Sequence, residues 1–432
     1  MRIITNLIDI DLKNEKGDHL FINSLYGCVD LVHHDEYCVI KKWIDKSEIY
    51  TNSELETKLL QKLIERKYVF EEEEEKLIKN QIIEKLKKNT EQKTLKNVFF
   101  VLTYNCNFAC PYCYERDIKS IQRMTCQQVD KIFDIHNNDI ENIGLFGGEP
   151  LLCSNKDIIE YIIKKAPNAL YNIITNGYNL EEYFEIIKKI KINYIQVTLD
   201  GSKDIHNKTR ILTNGGGTYD KIFSGIKLYS QNDVPITIRM NISKNNIHEC
   251  LELKKQLQTE PWARSINFEM QPIFQSSKDD AADLKKILLD DDSSSEKRNR
   301  LYENLSPISN FIFNGKRLIP ILNACDIEKR LRYYDPYGDI YSCTLAVGDK
   351  RKRIGTYEPE VEYDEVSFCK RDITTIPACK ECKYSLLCGG GCANGLPADC
   401  DILKTPNCAH FINEINNTIP YIYSLKYGNN KD

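Results

Sequence analysis

The stretch Thr103–Glu115 reads TYNCNFACPYCYE and sets Cys106, Cys110 and Cys113 at Cx3Cx2C. It follows directly on an apolar run of strand length, NVFFVLT (97–103). Three thiolates on one short loop can hold three corners of a [4Fe-4S] cube and leave one iron open to a small molecule. A zinc site would normally want four closed ligands.

Outward from this loop the texture is an alternation of strands and helices. NVFFVLT, IGLFGGEP, LYNIITNG, YIQVTLDG, PITIRMNIS and INFEMQPI read as strands, with helical patterns such as KDIIEYIIKKA and LEEYFEIIKKI between them. Six strands separated by helices predict an α/β fold with a parallel sheet. The cysteines, Gly147–Glu149, Asn176–Gly177 and Asp200–Gly201 all fall just after strand ends. In parallel barrels that is the face where chemistry collects.

The chain has 432 residues, which at about 150 per domain suggests roughly three domains. Its 59 basic and 63 acidic side chains leave a net charge of -4. No global cationic field gathers nucleic acid or anionic lipid, so neither is an expected partner. Asp9 and Asp11 interrupt the N-terminus before a signal-type apolar region forms, and no stretch approaches the length of a membrane span. A soluble, cytoplasmic protein is expected. Seventeen cysteines are too sparse for a disulfide scaffold and odd in number, so in a reducing compartment their clusters point to metal. Cys28, Cys38, Cys126, Cys153 and Cys250 are scattered, and the reading that suits them is that of small buried apolar residues.

Residues 1–95 lack such clusters. FINSLYGCVDLVHHDEYCVIKKW reads as short β-type runs, and SELETKLLQKLIERKYVF places Leu55, Leu59, Leu60, Leu63 and Ile64 on one helical stripe. The run Glu71–Glu75 reads as a solvated helix start, its acids favourable near a helix N-terminus. The polar stretch Ser276–Arg300 reads as a surface helix plus linker.

On these residues the chain resembles the radical S-adenosylmethionine superfamily, whose signature is Cx3Cx2C with an aromatic residue, here Tyr112, before the last cysteine. The resemblance implies a partial (β/α)6 TIM-like barrel whose open iron chelates S-adenosylmethionine and whose chemistry runs through a 5'-deoxyadenosyl radical. Gly147, Gly148, Glu149 and Pro150 match the family's GGEP motif, which binds the methionine amino group. Glycines allow close backbone approach, and a carboxylate can balance an ammonium. Val197–Gly201, VTLDG, resembles the fourth-strand motif and makes Thr198 and Asp200 candidates for the ribose or methionine portion. Arg210 and Arg239 are candidates for its carboxylate, with a structural ion pair as the competing reading, and Asn176 is a further cofactor candidate or simply a turn residue.

The last quarter carries Cys325, twelve residues, Gly338, four residues and Cys343, then Cys379, Cys382, Cys388 and Cys392 at Cx2Cx5Cx3C, then Cys408. This looks like the seven-cysteine SPASM extension, which implies two auxiliary [4Fe-4S] clusters and three clusters in all. By that resemblance Cys379, Cys382, Cys388 and Cys408 close the outer cluster, and Cys325, Cys343 and Cys392 hold the inner one. Where some relatives have a further upstream cysteine, this chain has Ile319, so the inner cluster has either an open iron corner or a ligand from Cys369 or Cys400. Cys400 also competes with Cys408 for the outer cluster.

An open corner suits a substrate thiolate, because iron lowers a bound thiol's pKa and fixes the sulfur. The implied activity is that of a peptide thioether synthase of the sactionine or ranthipeptide type, a radical oxidoreductase acting on a ribosomally made precursor peptide. The alternatives are carbon–carbon crosslinking, epimerisation or sulfatase-type Cys or Ser oxidation; Thr344 stands where sulfatase-maturing relatives carry an acid. A non-enzymatic zinc-binding interaction protein is the alternative of another class. Residues 1–95 resemble the winged-helix-like RiPP recognition element that binds a leader peptide along a strand edge, against an unrelated α+β appendage. The expected domains are thus 1–95 for leader recognition, 96–315 for the barrel and 316–432 for SPASM, with flavodoxin or ferredoxin as electron donor. No general base is evident, and His136, His206, His248 and His410 read as surface or capping residues.

Overall fold

The computed structural model describes residues 1–88, 95–116, 118, 121–273, 283–284, 286–288, 308, 311–312, 315, 317–325, 331–364, 370–397 and 399–427. Two compact units divide the chain: 1–91 with 285–325 and 370–432, and 92–284 with 326–369. Of residues 316–432, 316–325 and 370–432 fall in the first unit and 326–369 in the second.

The second unit is built on six parallel strands, β6 (Asn97–Thr103), β7 (Asn142–Gly147), β8 (Leu170–Thr175), β9 (Lys191–Thr198), β10 (Ile236–Ile242) and β11 (Asn267–Pro272), lying side by side in chain order. Each expected strand is present. Helices α4 (Cys126–Ile135), α5 (Lys156–Lys165), α6 (Leu180–Ile187), α7 (Lys203–Thr209), α8 (Tyr219–Gln231) and α9 (Ile247–Thr259) fill the crossovers. They bury one face each, such as Ile158, Ile159 and Ile162 of α5, against strands that are apolar on both faces, such as Val98–Leu102. Thr125 and Gln128 form a capping box that starts α4.

The sheet continues past β6. Strand β12 (Arg332–Tyr334) pairs parallel with β6, and β13 (Asp339–Tyr341), β14 (Gly355–Thr356) and β15 (Glu362–Tyr363) extend it antiparallel. The result is a partial (β/α)6 barrel sheet with an antiparallel annex.

In the first unit β2 (Leu7–Asp11), β3 (His19–Asn23) and β4 (Cys28–Val32) form an antiparallel sheet, and β1 (Arg2–Ile3) pairs with β5 (Val69–Phe70). Residues His34–Lys46, expected to continue as β-type runs, are helix α1. Ile40 and Trp43, three apart, bury one face of it, which overrides the local β-type composition. In α2 (Glu54–Glu65) the apolar stripe narrows to Leu59 and Leu63, while Leu55 and Ile64 are exposed. Helix α3 (Glu72–Lys88) begins as expected, but Glu75 is not solvated. Its carboxylate accepts from Thr5 N at 3.1 Å, Thr5 Oγ1 at 2.9 Å, Asn6 N at 3.0 Å and Asn6 Nδ2 at 2.7 Å, fastening the β1–β2 turn.

One face of the small sheet, through Ile8, Ile10, Leu20 and Ile22, shares a core with Leu387, Ile415, Ile419 and Ile422 from the cysteine-rich end. A second shared core joins Leu25, Ile78 and Ile82 to Ile373, Ile376, Cys379 and Leu386. Of the scattered cysteines Cys250 is buried, but Cys38, Cys126 and Cys153 are exposed, against expectation, because each stands on the outer side of its helix or turn. Ser276–Arg300 lies almost wholly outside the described residues. Among the described residues no helix is long and apolar enough to cross a membrane.

Candidate active site

The loop after β6 is positioned by backbone contacts made possible by two glycines. Gly148 N donates to Thr103 O at 2.9 Å and Glu149 N to Asn105 O at 2.9 Å, tying the GGEP turn to the residues that lead into Cys106. A Cβ on Gly148 would lie 2.5 Å from the carbonyl oxygens of both Tyr104 and Asn105, and one on Gly147, whose φ is +126°, would lie 2.2 Å from Thr103 O. The far side of the loop is held by Ala109 N donating to Ile211 O at 2.9 Å and Thr213 N to Asn107 O at 2.9 Å.

Glu149 is buried with its carboxylate turned to the chain itself. Oε1 accepts from Leu151 N at 2.8 Å and Thr175 Oγ1 at 2.6 Å, and Oε2 accepts from Asn176 N at 2.6 Å, so β7 and β8 are locked together at their C-terminal ends. Burial raises its pKa although these donors pull the other way. Asn176 continues the link, donating through Nδ2 to Asn107 Oδ1 at 2.8 Å and lying 3.8 Å from Cys106 Sγ.

Tyr112, between the second and third cysteines, reaches Asp200 at the end of β9. Its phenol donates to Asp200 Oδ2 and accepts from Arg210 Nη1 at 2.7 Å, while Asn241 N donates to Asp200 Oδ1 at 2.9 Å. Arg210 is buried, its Nε has no partner, and its guanidinium stacks over Phe108 at 5.6 Å. Thr198 is buried at the end of β9. Arg239 departs from this group: it donates to Glu269 Oε1 at 2.6 Å and Asn241 Oδ1 at 3.3 Å, an ion pair between β10 and β11.

The thiols sit in a desolvated place. Burial first, then the Glu149 carboxyl and the neighbouring Cys110 and Cys113, push the Cys106 thiol up to about 12. Burial raises Cys110 and Cys113 too, with Arg210 opposing it at both. Three soft donors on one loop, with a buried cation beside them carrying an unused N–H, fit an anionic iron–sulfur group. Loading such a group drives off three thiol protons.

Glu115, which the sequence did not single out, and His206 belong to this region. Glu115 is buried, its Oε1 without a hydrogen-bond partner among the described residues, and burial lifts it to about 8. Its place two positions after Cys113 was the available signal. His206, read as a surface or capping residue, is buried: its Nδ1 accepts from Asp200 N at 3.2 Å, and Nε2 lies 3.1 Å from Thr218 Oγ1. His136 is likewise buried, bonded to Leu95 O at 3.0 Å and Tyr334 OH at 2.9 Å, whereas His248 and His410 are exposed. Both buried rings lie at or near a helix C-terminus, in keeping with the capping alternative rather than the surface one.

The later cysteines fall in both units. Cys343 follows β13 in the barrel unit, and the adjacent Thr344 meets the Tyr333 phenol through Oγ1. Cys325, Cys379, Cys382, Cys388, Cys392, Cys400 and Cys408 belong to the other unit. There burial, Cys382 and Cys408 push Cys379 up to about 11, and burial, Cys408, Cys379 and Cys382 push Cys388 up to about 12. Cys388 thus feels the other three thiols of this set. Cys369 lies outside the described residues. Among the described residues no three Cys, His, Asp or Glu side chains meet at the spacing of a single metal ion.

The loop joining Cys388 to Cys392 is Gly389, Gly390 and Gly391, all left-handed with φ of +61°, +79° and +73°. Its carbonyls are bound by Arg371, a buried residue that sequence reasoning passed over. Three successive glycines between two cysteines were the available signal, because only glycine tolerates that path.

Residues 100–257 match the Radical SAM superfamily, and this span is a radical SAM domain. That superfamily implies a [4Fe-4S] cluster and S-adenosylmethionine, and an enzyme. The chain is 27% identical over 339 residues to the cysteine-type anaerobic sulfatase-maturating enzyme of Clostridium novyi, covering 69% of this chain and 88% of that one. It is 22% identical over 329 residues to the mycofactocin maturase MftC of Mycolicibacterium smegmatis, covering 69% and 79%. Among solved structures it resembles native anSMEcpe with bound AdoMet and Cp18Cys peptide, with a TM-score of 0.58 at 18% identity over 78% of this chain and 100% of that one. It also resembles Streptococcus suis SuiB bound to precursor peptide SuiA, with a TM-score of 0.55 at 14% identity over 94% and 98%. At these identities the structural likeness is one of fold.

Proposed function

We propose that this chain is a radical S-adenosylmethionine maturase that closes an intramolecular thioether from a cysteine in a ribosomally made precursor peptide. The observation that carries the reading is the Cx3Cx2C loop held by the GGEP turn on one side and by the Tyr112–Asp200–Arg210 group on the other. A peptide substrate is supported by the neighbours, which include anSMEcpe with a bound peptide and SuiB with its precursor.

Cys106, Cys110 and Cys113 would hold the radical cluster, which when loaded supplies reductive cleavage of S-adenosylmethionine to a 5'-deoxyadenosyl radical. The chain's own part is placement. Arg210, with its spare Nε–H, suits a carboxylate; Asp200, held by Asn241 N and Tyr112, suits a hydroxyl or ammonium; Gly147 and Gly148 keep the cofactor face of the loop narrow. Glu149 acts as an internal clasp, its two oxygens engaged by three chain donors.

Residues 379, 382, 388 and 408 are read as ligands of an outer auxiliary cluster, and the spacing of the remaining cysteines is read as that of an inner one with a corner for substrate sulfur. The three-stranded sheet and helices of 1–88 are read as the leader-binding part, which would offer a strand edge to an extended peptide. In the net reaction the peptide loses two hydrogens. One leaves its carbon for 5'-deoxyadenosine, the thiol proton is released, one electron passes to a redox acceptor, and a C–S bond joins the two centres.

A second reading, Cys oxidation of the sulfatase-maturing kind, is favoured by the Clostridium novyi relative. Against it stands Thr344, whose hydroxyl is engaged by Tyr333 at the position expected to be acidic. Anaerobic incubation with S-adenosylmethionine, a reductant and a cysteine-containing precursor peptide separates the two. The thioether reading requires deoxyadenosine and a peptide two hydrogens lighter, whose cysteine no longer alkylates and whose sulfur is retained bonded to carbon. Aldehyde formation at that cysteine supports the second reading, and a colourless protein holding zinc without iron sinks both.

A further inference from the structure

Arg371 is 5% exposed, and among the described residues no carboxylate pairs with the charge it carries. Its Nη1 donates to Gly391 O at 2.5 Å, and its Nη2 to Gly390 O at 2.5 Å and Thr405 O at 2.8 Å. All three acceptors are neutral carbonyls. Its Nε is buried with no partner, and among the described residues no carboxylate pairs with it. A buried cation left in that condition is strongly disfavoured, because neutral hydrogen bonds do not return the hydration it gives up.

The carbonyls that bind it lead directly to cysteines. The guanidinium lies within Coulombic reach of Cys379, Cys392, Cys388 and Cys400, and its bonded carbonyls belong to the glycine loop between Cys388 and Cys392. That loop is built for the purpose. A Cβ on Gly389 would meet Ala324 N at 2.2 Å and one on Gly391 would meet Asn407 O at 2.0 Å. The left-handed path turns the carbonyls of Gly390 and Gly391 to the Arg371 guanidinium, on the stretch that joins Cys388 to Cys392. Protonated thiols would leave the cation unbalanced, whereas four thiolates on a [4Fe-4S] core carry a net negative charge.

We propose that Arg371 is the built-in counter-cation of the cluster held by Cys379, Cys382, Cys388 and Cys408, raising its reduction potential and retaining it in the chain. The inference rests on the auxiliary-cluster reading given above. It assigns Arg371 a positioning and electrostatic role, with no contact to substrate.

The test uses the whole chain carrying Cys106, Cys110 and Cys113→Ala, so that only auxiliary iron reports. Into this background go Arg371→Gln, which keeps hydrogen-bond donors without charge, and Arg371→Lys, which keeps charge with fewer donors. The readouts are iron and sulfide per chain, and the midpoint potential of the reduced cluster followed by electron paramagnetic resonance. The glutamine variant is expected to lose about four of roughly eight irons, or to keep them at a more negative midpoint. The lysine variant is expected to restore iron content and midpoint toward those of the arginine parent. Iron and midpoint unchanged in the glutamine variant overturn the proposal. So does equal failure of both variants, which marks Arg371 as a carbonyl clamp alone. A parent background without iron overturns the auxiliary-cluster reading itself, a result distinct from either.

Discussion

The phenol of Tyr112, inside the Cx3Cx2C loop, donates to the carboxylate of Asp200 at the end of β9. Eighty-eight residues separate the two in sequence, and Arg210 Nη1 donates back to the same phenol oxygen at 2.7 Å. The cysteine loop is therefore fastened to the far side of the parallel sheet by a side chain that sits between two cysteines.

Tyr112→Phe keeps the ring and removes both bonds. Each involves a charged partner and is worth roughly 1.5–3 kcal/mol. Asp200 and Arg210 stay buried without the oxygen between them. Deoxyadenosine production by the reconstituted enzyme is expected to fall about tenfold to a hundredfold, with radical-cluster iron largely retained. A variant as active as the parent would show that the loop is held by its backbone bonds alone.

Gly148→Ala places a methyl 2.5 Å from two backbone carbonyl oxygens, neither of which is the end of a flexible side chain. The turn and the lead into Cys106 must then separate, at a cost of roughly 1–3 kcal/mol or more. Iron is expected to drop by about four per chain. Unchanged iron together with unchanged thermal stability would refute the close approach.

Glu149→Gln tests the clasp. The carboxylate accepts from two backbone N–H groups on different oxygens, and an amide must aim its NH2 at one of them. One donor is then left facing another in a buried place, costing about 1–3 kcal/mol. Thermal unfolding of the iron-free chain is expected at lower temperature, and Thr175→Val, which removes only the hydroxyl donor, should shift it less. Equal shifts would mean that the backbone bonds to Glu149 contribute little.

His206 gives the barrel unit an acid sensitivity. Burial, with help from Arg210, pulls its imidazole down to about 3 from an ordinary 6.5. The unfolded chain thus binds a proton that the folded chain refuses, so the stability tied to neutral His206 is present above about pH 6.5 and is lost as pH falls toward 3. Asp335, raised by burial to about 6, acts oppositely: its contribution is present below about 3.8 and lost as pH rises through 6. Comparing iron-free His206→Gln with the parent isolates the histidine. The stability of the variant should fall less steeply between about pH 6 and 4. Parallel curves would place a charged or exposed His206 in the folded state.

The sheet was legible in the sequence because β6 is a near-continuous apolar run, β10 alternates apolar and polar residues, and the helices between carry a 3.6-residue stripe. All six strand runs from Asn97 to Pro272 are present, and the loops that follow them carry Cys106, Gly148, Asn176 and Asp200 as expected. His34–Lys46 failed because a short segment's β-type composition says nothing of the core that Ile40 and Trp43 enter. Glu75 failed for a related reason: one member of an acidic run is chosen by a turn seventy residues earlier.

By itself, then, the sequence determined what local chemistry can encode: a three-thiol loop, two glycines that admit a neighbouring backbone, and an alternation that forces a parallel sheet. Only the tertiary structure decided which distant groups close on that loop and which charges are left for a cofactor to balance. Tyr112 with Asp200, Glu149 with Asn176, and Arg371 among the thiols beside the Cys388–Cys392 loop are pairings across sheet edges and loops. Hydrogen bonding and the cost of burying charge act through space, and no spacing along the chain records which partner will arrive.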